Sequence, residues 1–159
     1  MNVQIDKATV SDQVVLRQLL ELYLYDFSPL DGSDVDEHGT FGYPYLDHYW
    51  TEAGRHPFLV RVDGKLAGFA LVRQIDDEPP RTEMAEFFIM RKYRGQGVGR
   101  QVATTLFDRF PGCWRVGQET SNTPAQAFWR GVIGRYTNGK FEEIRVEDWD
   151  GPMQTFVAR

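Results

Sequence analysis

The chain has 159 residues, 42% hydrophobic and 26% charged, with a net charge of −5. That composition describes one globular domain, residues 1–159, long enough to bury a full core. The acidic balance excludes a general nucleic-acid binder, which needs a basic face to displace counterions. No run approaches the roughly 18 apolar residues of a membrane span. A lone cysteine, Cys113, excludes an intrachain disulfide and suits a cytoplasmic setting; it lies in an apolar stretch, so a buried, inert thiol is expected. The first ten residues carry no basic segment and no long apolar run, so no signal peptide is expected.

Alternation at Val3, Ile5 and Lys7 predicts a first strand over 2–8. Ser11 is the expected N-cap of a helix over about 12–26, whose apolar stripe is Val15, Leu19, Leu22 and Tyr23 and which Ser28-Pro29 closes. Residues 26–43 then form a glycine-rich loop in which Asp26, Asp31, Asp34, Asp36 and Glu37 have no Lys or Arg among them. It is read either as a solvated loop or as an acidic rim that draws in a cation. Pro44 opens a second helix, 44–53, with Tyr45, Leu46, Tyr49 and Trp50 on one side. Phe58–Val62 and 65–74 are strands joined by the hairpin signal Asp63-Gly64. A further strand, 82–90, follows an exposed turn at 76–81.

That strand leads into Arg94-Gly95-Gln96-Gly97-Val98-Gly99 and then a helix, 97–110, with Val98, Val102, Leu106 and Phe110 four apart. Glycines let a ligand approach the backbone, and the amides that open a helix lack partners and sit at its positive end. The turn therefore suits a phosphate, with Arg94 and Arg100 adding charge; a flexible helix entry is the plainer alternative. Cys113 to Thr120 is a strand, and a helix from Thr123 carries Phe128, Trp129, Val132 and Ile133 and ends near Gly134. Thr123 and Gln126 form the expected capping box. Two last strands, 140–148 and 153–158, are joined through Asp150-Gly151. The order β-α-α-β-β-β-α-β-α-β-β describes a mixed α/β sheet, mostly antiparallel, with hairpins at front and back and a βαβ unit in the middle.

Two nucleotide motifs fail on spacing. No Lys-Ser/Thr follows the glycines, as a Walker A loop requires. Gly95, Gly97 and Gly99 have the wrong last interval for a dinucleotide fingerprint, so Glu119, about 20 residues beyond, is a coincidence of position. A third pattern fits. Arg94-Gly95-Gln96-Gly97-Val98-Gly99 resembles the Arg/Gln-x-x-Gly-x-Gly/Ala signature of the GNAT acyltransferase superfamily. Ile89 to Gly95 resembles its Val-x-Pro-x-Tyr-Arg-Gly approach, with Arg91 where proline is common. Asn122, Ala125 and Phe128-Trp129 resemble its downstream Asn-x-x-Ala-x-x-Phe-Tyr helix. The resemblance covers nearly the whole chain, element order included.

It implies an acyl-CoA N-acyltransferase fold, acetyl-CoA as donor, and direct attack by an amine through a tetrahedral intermediate. The pyrophosphate would lie on the amides of Arg94, Gly95, Gln96, Gly97, Val98, Gly99 and Arg100. The pantetheine arm would run along Ile89, Met90 and Arg91 between two splayed strands, with the Ile89 amide on the thioester oxygen. Asn122, Phe128 and Trp129 would flank the arm. A base is needed, and Glu83 and Glu86 lie on the strand. Three apart, they face opposite sides of a regular strand; Glu83 shares the parity of Ile89, and Glu86 is nearer but needs a bulge to swing in. Glu86 is preferred. Trp129 departs from the family's general-acid tyrosine; Tyr136 lies beyond the expected helix end, so water or another tyrosine such as Tyr23, Tyr25 or Tyr45 would protonate the thiolate. Tyr23, Asp26 and Tyr45 are the candidate acceptor contacts, and aromatics with carboxylates suit a small-molecule amine better than a protein amine. His38, His48 and His56 have no metal spacing, so no metal is expected. A catalytically weak acyl-CoA-binding or regulatory domain is the alternative, and a homodimer stays open.

Overall fold

The computed structural model describes residues 1–159. Its order is β1 (Val3–Lys7), a 3-10 turn (Val10–Asp12), α1 (Gln13–Asp31), α2 (His48–Thr51), β2 (Arg55–Val62), β3 (Lys65–Ile75) and β4 (Arg81–Ile89). A second 3-10 turn (Arg91–Tyr93), α3 (Val98–Arg109), β5 (Gly112–Gly117), α4 (Thr123–Thr137), β6 (Glu142–Ile144) and β7 (Met153–Ala158) complete it. The strands form one seven-stranded sheet in the order β1-β2-β3-β4-β5-β7-β6. Every pairing is antiparallel except β4 with β5, the pair that α3 connects. The expected mixed, mostly antiparallel sheet with a central βαβ unit is therefore present.

Apolar residues on the two sheet faces build two cores. Met84, Ile89, Val102, Leu106, Phe107 and Trp129 belong to the α3/α4 side. Leu16, Leu19, Leu59, Phe69, Leu71 and Phe88 belong to the α1/α2 side. No helix is long and apolar enough to cross a membrane.

Element ends depart from the sequence reading for local reasons. α1 runs through Pro29 to Asp31 and stops at Gly32, which has a positive φ of 75°. Proline removes the bond to the Tyr25 carbonyl, but the Ser28 hydroxyl donates to that oxygen at 2.7 Å, so the helix is not broken there. The loop expected from 26 thus begins six residues later, and Asp26 is helical. The second helix is a single turn, with residues 44–47 in a preceding turn. The N-terminal box is Thr9 with Asp12 rather than a cap at Ser11. α4 is capped by Asn122, whose Oδ1 accepts from the Ala125 amide at 3.2 Å, one residue before the expected Thr123. It passes Gly134 and ends at Thr137, with Asn138 as a left-handed cap and the Gly139 amide closing the last turn onto the Gly134 carbonyl. β6 spans three residues instead of nine, and the Cys113 side chain is exposed rather than buried.

Candidate active site

Parallel strands β4 and β5 pair only at Thr82 with Trp114 and Glu83 with Arg115. Beyond those residues they separate, and the opening is the site. A cavity of about 650 Å3 runs from the glycine turn into this opening, between the C-terminal part of α1 and the start of α4. A smaller cavity of about 110 Å3 continues it between Met84–Phe87 of β4 and 116–119 at the end of β5. The two meet at Tyr23, Phe27, Phe87, Asn122, Ala125 and Trp129.

At the outer end, Gly95 and Gly97 have φ of 74° and 83°, values that glycine alone adopts without strain. This double left-handed turn lets the chain enter α3 with the amides of Gly95 through Arg100 making no backbone hydrogen bond, the first internal bond being Gln101 N–H to Gly97 O at 3.1 Å. Gly99 is glycine for a different reason: a Cβ there would lie 3.0 Å from the Phe128 ring. Arg100 borders the cavity without an ion-pair partner. Arg94 is committed elsewhere: its Nε donates to the Ile89 carbonyl at 2.7 Å, and a terminal nitrogen bonds Asp26 Oδ2 at 2.7 Å. Arg91 grips Asp26 Oδ1 through Nε at 3.0 Å and a terminal nitrogen at 2.7 Å. Partial burial works against the Asp26 charge, but the Arg94 and Arg91 guanidiniums outweigh it and hold the carboxyl below its ordinary range.

Along β4, the Met90 amide donates to Ala67 O of β3 at 2.8 Å. Alternation then turns the Ile89 amide to the other edge, toward the opening. A bulge lies between the pairs Leu71–Glu86 and Val72–Met84, with Ala85 as the extra residue. It changes which side chains share a face. Met84, Phe87 and Ile89 pack toward α3/α4, and Ala85 and Phe88 pack toward α1. Glu86 also turns to α1, where Tyr23 donates to Oε1 at 3.0 Å. The parity that grouped Glu83 with Ile89 holds only for a regular strand and does not hold here. Glu83 sits at the paired end of the strand, accepts from Arg81 Nε at 2.7 Å, and lines neither cavity.

Burial pushes Glu86 up to about 7; the Tyr23 and Tyr43 hydroxyls pull it down, and the Glu119 charge adds to the rise. Burial, then the Glu86 charge and hydrogen bond, raise the Tyr23 phenol well above its ordinary value. Burial raises Glu119 too, followed by the charges of Asp31 and Asp150. Glu86 and Glu119 are the only charged groups in the inner cavity, and no Lys or Arg lines it. The chemistry available is thus anion binding at the glycine turn and proton transfer at a poised carboxylate inside.

The sequence-derived residues divide clearly. Gly95, Gly97, Gly99, Arg100, Ile89, Asn122, Phe128, Trp129, Tyr23 and Glu86 converge on the two cavities. Val98 is buried by its side chain, Met90 packs against the α1 core, and the Gln96 amide bonds Lys92 O at 3.0 Å, so these three contribute backbone at most. Asp26 and Arg94 also border the larger cavity, and Arg91 with Arg94 holds Asp26, which is not free for a cation. Tyr45 is 53% exposed, stacks edge-on against Tyr43 and lines neither cavity. Tyr136 is helical, but its hydroxyl donates to Asp108 at 2.7 Å, away from both cavities. Sequence reasoning missed Glu119 and Trp149 as site residues. The signal was position: Glu119 lies just past the carboxyl end of a parallel strand, where crevices open. Trp149 reaches it across the last loop, its indole donating to Gln118 O at 3.0 Å.

No curated protein matches the sequence at a significant level. Solved structures are similar in fold. An acetyltransferase from Thermus thermophilus superposes with a TM-score of 0.76 at 15% identity, covering 99% of this chain and 97% of its own. The ribosomal-protein-S18-alanine N-acetyltransferase of Escherichia coli gives 0.66 at 15%, covering 99% and 94%. PaiA N-acetyltransferase of Thermoplasma acidophilum, in complex with coenzyme A, gives 0.63 at 14%, covering 97% and 98%. The sequence pattern of the Acetyltransferase (GNAT) family matches residues 16–132, well over half of the chain. With the signature turn at the mouth of a cleft between two splayed parallel strands, the chain belongs to the GNAT family and is a GNAT-type acyltransferase.

Proposed function

We propose that the protein transfers an acetyl group from acetyl-CoA to the primary amine of a small molecule. The observation that carries this reading is the continuity of the site: unpartnered amides at the outer end, an inward-facing Ile89 amide on the way, and a poised Glu86 inside. The outer end fits a pyrophosphate, because the amides of residues 95–100 and the unpaired Arg100 offer donors and positive charge at a helix start. The PaiA relative bound to coenzyme A supports the same assignment. The apolar passage past Ile89, Phe128 and Trp129 suits an extended pantetheine arm.

In this reading the Ile89 amide faces the thioester oxygen and steadies the negative charge that develops on it. Glu86, ionised above about pH 7, takes a proton from the attacking nitrogen. Holding donor and acceptor at the junction of the two cavities supplies much of the rate. The acceptor is assigned as a cation because the inner cavity carries two carboxylates and no basic group.

The test has two stages. Acetyl-CoA at 100 times its Kd stabilises a native protein by about 2.7 kcal/mol, so a thermal shift is expected with acetyl-CoA and none with NAD. Thiol release is then followed with acetyl-CoA and a panel of polyamines, aminoglycosides, amino acids and N-terminal peptides. Release with a small amine supports the reading. Release with peptides alone overturns the small-molecule acceptor, and no thermal shift overturns the donor.

A further inference from the structure

Breakdown of a thioester adduct expels a thiolate that needs a proton, and the side chain at the corresponding position of α4 is Trp129, whose indole N–H does not ionise in the accessible range. The reacting atoms belong where the donor and acceptor cavities meet. Of the six residues shared by the two cavities, Tyr23 alone bears an acidic hydrogen. Of the other six tyrosines, Tyr25, Tyr43, Tyr45, Tyr49, Tyr93 and Tyr136, none lines either cavity, although the Tyr43 hydroxyl also acts on Glu86. Tyr23 is held in place by edge-on or tilted contacts with Phe27, Phe69 and Phe88 at 5.2, 5.4 and 5.5 Å, and its hydroxyl is 3.0 Å from Glu86.

Resting on the acetyl-transfer reading, we propose that Tyr23 of α1 is the catalytic acid, relaying to the leaving thiolate the proton that Glu86 removes from the amine. While Glu86 is a carboxylate it only accepts, so the Tyr23 hydrogen points at it. Once Glu86 has taken the proton it becomes a donor, and the hydrogen bond reverses. Tyr23 then accepts from Glu86 and its own hydrogen is free to turn to sulfur. The acceptor, bound as an ammonium, first gives one proton to solvent, and from the free amine the balance closes within the site: N–C forms, C–S breaks, and the electron pair of C–S goes to sulfur. The nitrogen proton passes to Glu86, the Glu86 proton to the Tyr23 oxygen, and the Tyr23 proton to sulfur. Amide and thiol leave, and both side chains return to their starting forms. A phenol of raised pKa gives up no proton on its own, which makes Tyr23 a concerted relay rather than a reservoir.

The experiment compares Tyr23→Phe with the wild type from pH 6 to 9.5, using thiol release with the best small amine of the panel. Phenylalanine keeps the ring packing, and an unchanged acetyl-CoA thermal shift checks the fold and the donor site. Expected are a plateau kcat lower by roughly 10- to 100-fold, a KM for acetyl-CoA within about threefold of wild type, and an acidic limb displaced upward because Glu86 loses a hydrogen bond. A plateau within threefold of wild type overturns the relay and leaves Tyr23 as a positioning residue, whether or not the limb moves. A lost thermal shift with raised KM overturns it in favour of a structural role. A wild type that releases no thiol with any amine overturns the acetyl-transfer reading and the relay with it.

Discussion

At the scale of single residues, the proposed mechanism depends on Glu86. Its carboxyl is raised by burial to about 7 from an ordinary 4.5, which couples activity and stability to the same proton. In the proposed mechanism activity needs the ionised form, so kcat/KM is expected to climb with pH through about 7 and then level. Glu86→Gln should lower the plateau by roughly 10²–10⁴-fold and abolish the limb, measured by initial rates across pH. Stability runs the other way. The folded protein keeps this proton up to about pH 7, whereas the unfolded chain releases it near 4.5. The stabilising share of the group is complete below pH 4.5 and is lost as pH rises through 7. Glu86→Gln should therefore be more stable than wild type at pH 8 by roughly 2–3 kcal/mol, and nearly equal to it at pH 4, by urea denaturation.

Elements hold these residues through close backbone approaches. Gly68 on β3 faces β4 so tightly that a Cβ would lie 1.9 Å from the Phe88 carbonyl oxygen. Gly68→Ala must push β3 from β4 beside Ile89, and a loss of about 3 kcal/mol is expected by denaturation, with a raised KM for acetyl-CoA. The glycine turn is tested separately. Gly97→Glu sets a side chain at a φ of 83° and puts a negative charge among the free amides. Strain of roughly 1 kcal/mol and loss of the acetyl-CoA thermal shift are expected; an intact shift would remove the turn from the donor site.

Over the whole molecule, α1 is fastened to the turn after β4 by Asp26, which bonds Arg91 and Arg94 together. Arg94 in turn holds the Ile89 carbonyl. α1 and the turn after β4 are thereby linked through one carboxylate, which in the proposed reading couples the acceptor side to the donor side. These ion pairs are largely exposed and screened by solvent, so their direct contribution to stability is small. Their weight is positional: Asp26→Ala should change the denaturation midpoint little but lower kcat more than a stability loss of that size explains, measured by comparing kcat with urea midpoints.

The sequence by itself determined most of the element order, because hydrophobic period and turn residues are local properties. It also identified the glycine turn, the family, and the pair Glu83 and Glu86. Local signals misjudged ends wherever a side chain supplied a missing partner, as Ser28 does for the Tyr25 carbonyl ahead of Pro29. The sequence preferred Glu86 on nearness alone; the tertiary structure places Glu86 in the inner cavity and Glu83 outside it. The choice rests on a bulge at Ala85, which arises from how β4 registers on β3 and changes the face of every residue before it relative to those after. Likewise Asp26 reads as a free acid in a loop until a longer α1 carries it to two arginines 65 and 68 residues away. Glu119 acquires meaning only when β4 and β5 separate and bring it to one cavity with Tyr23, which the sequence already offered as a candidate. Pairing register and cleft opening are sums over many distant contacts, which no local pattern encodes.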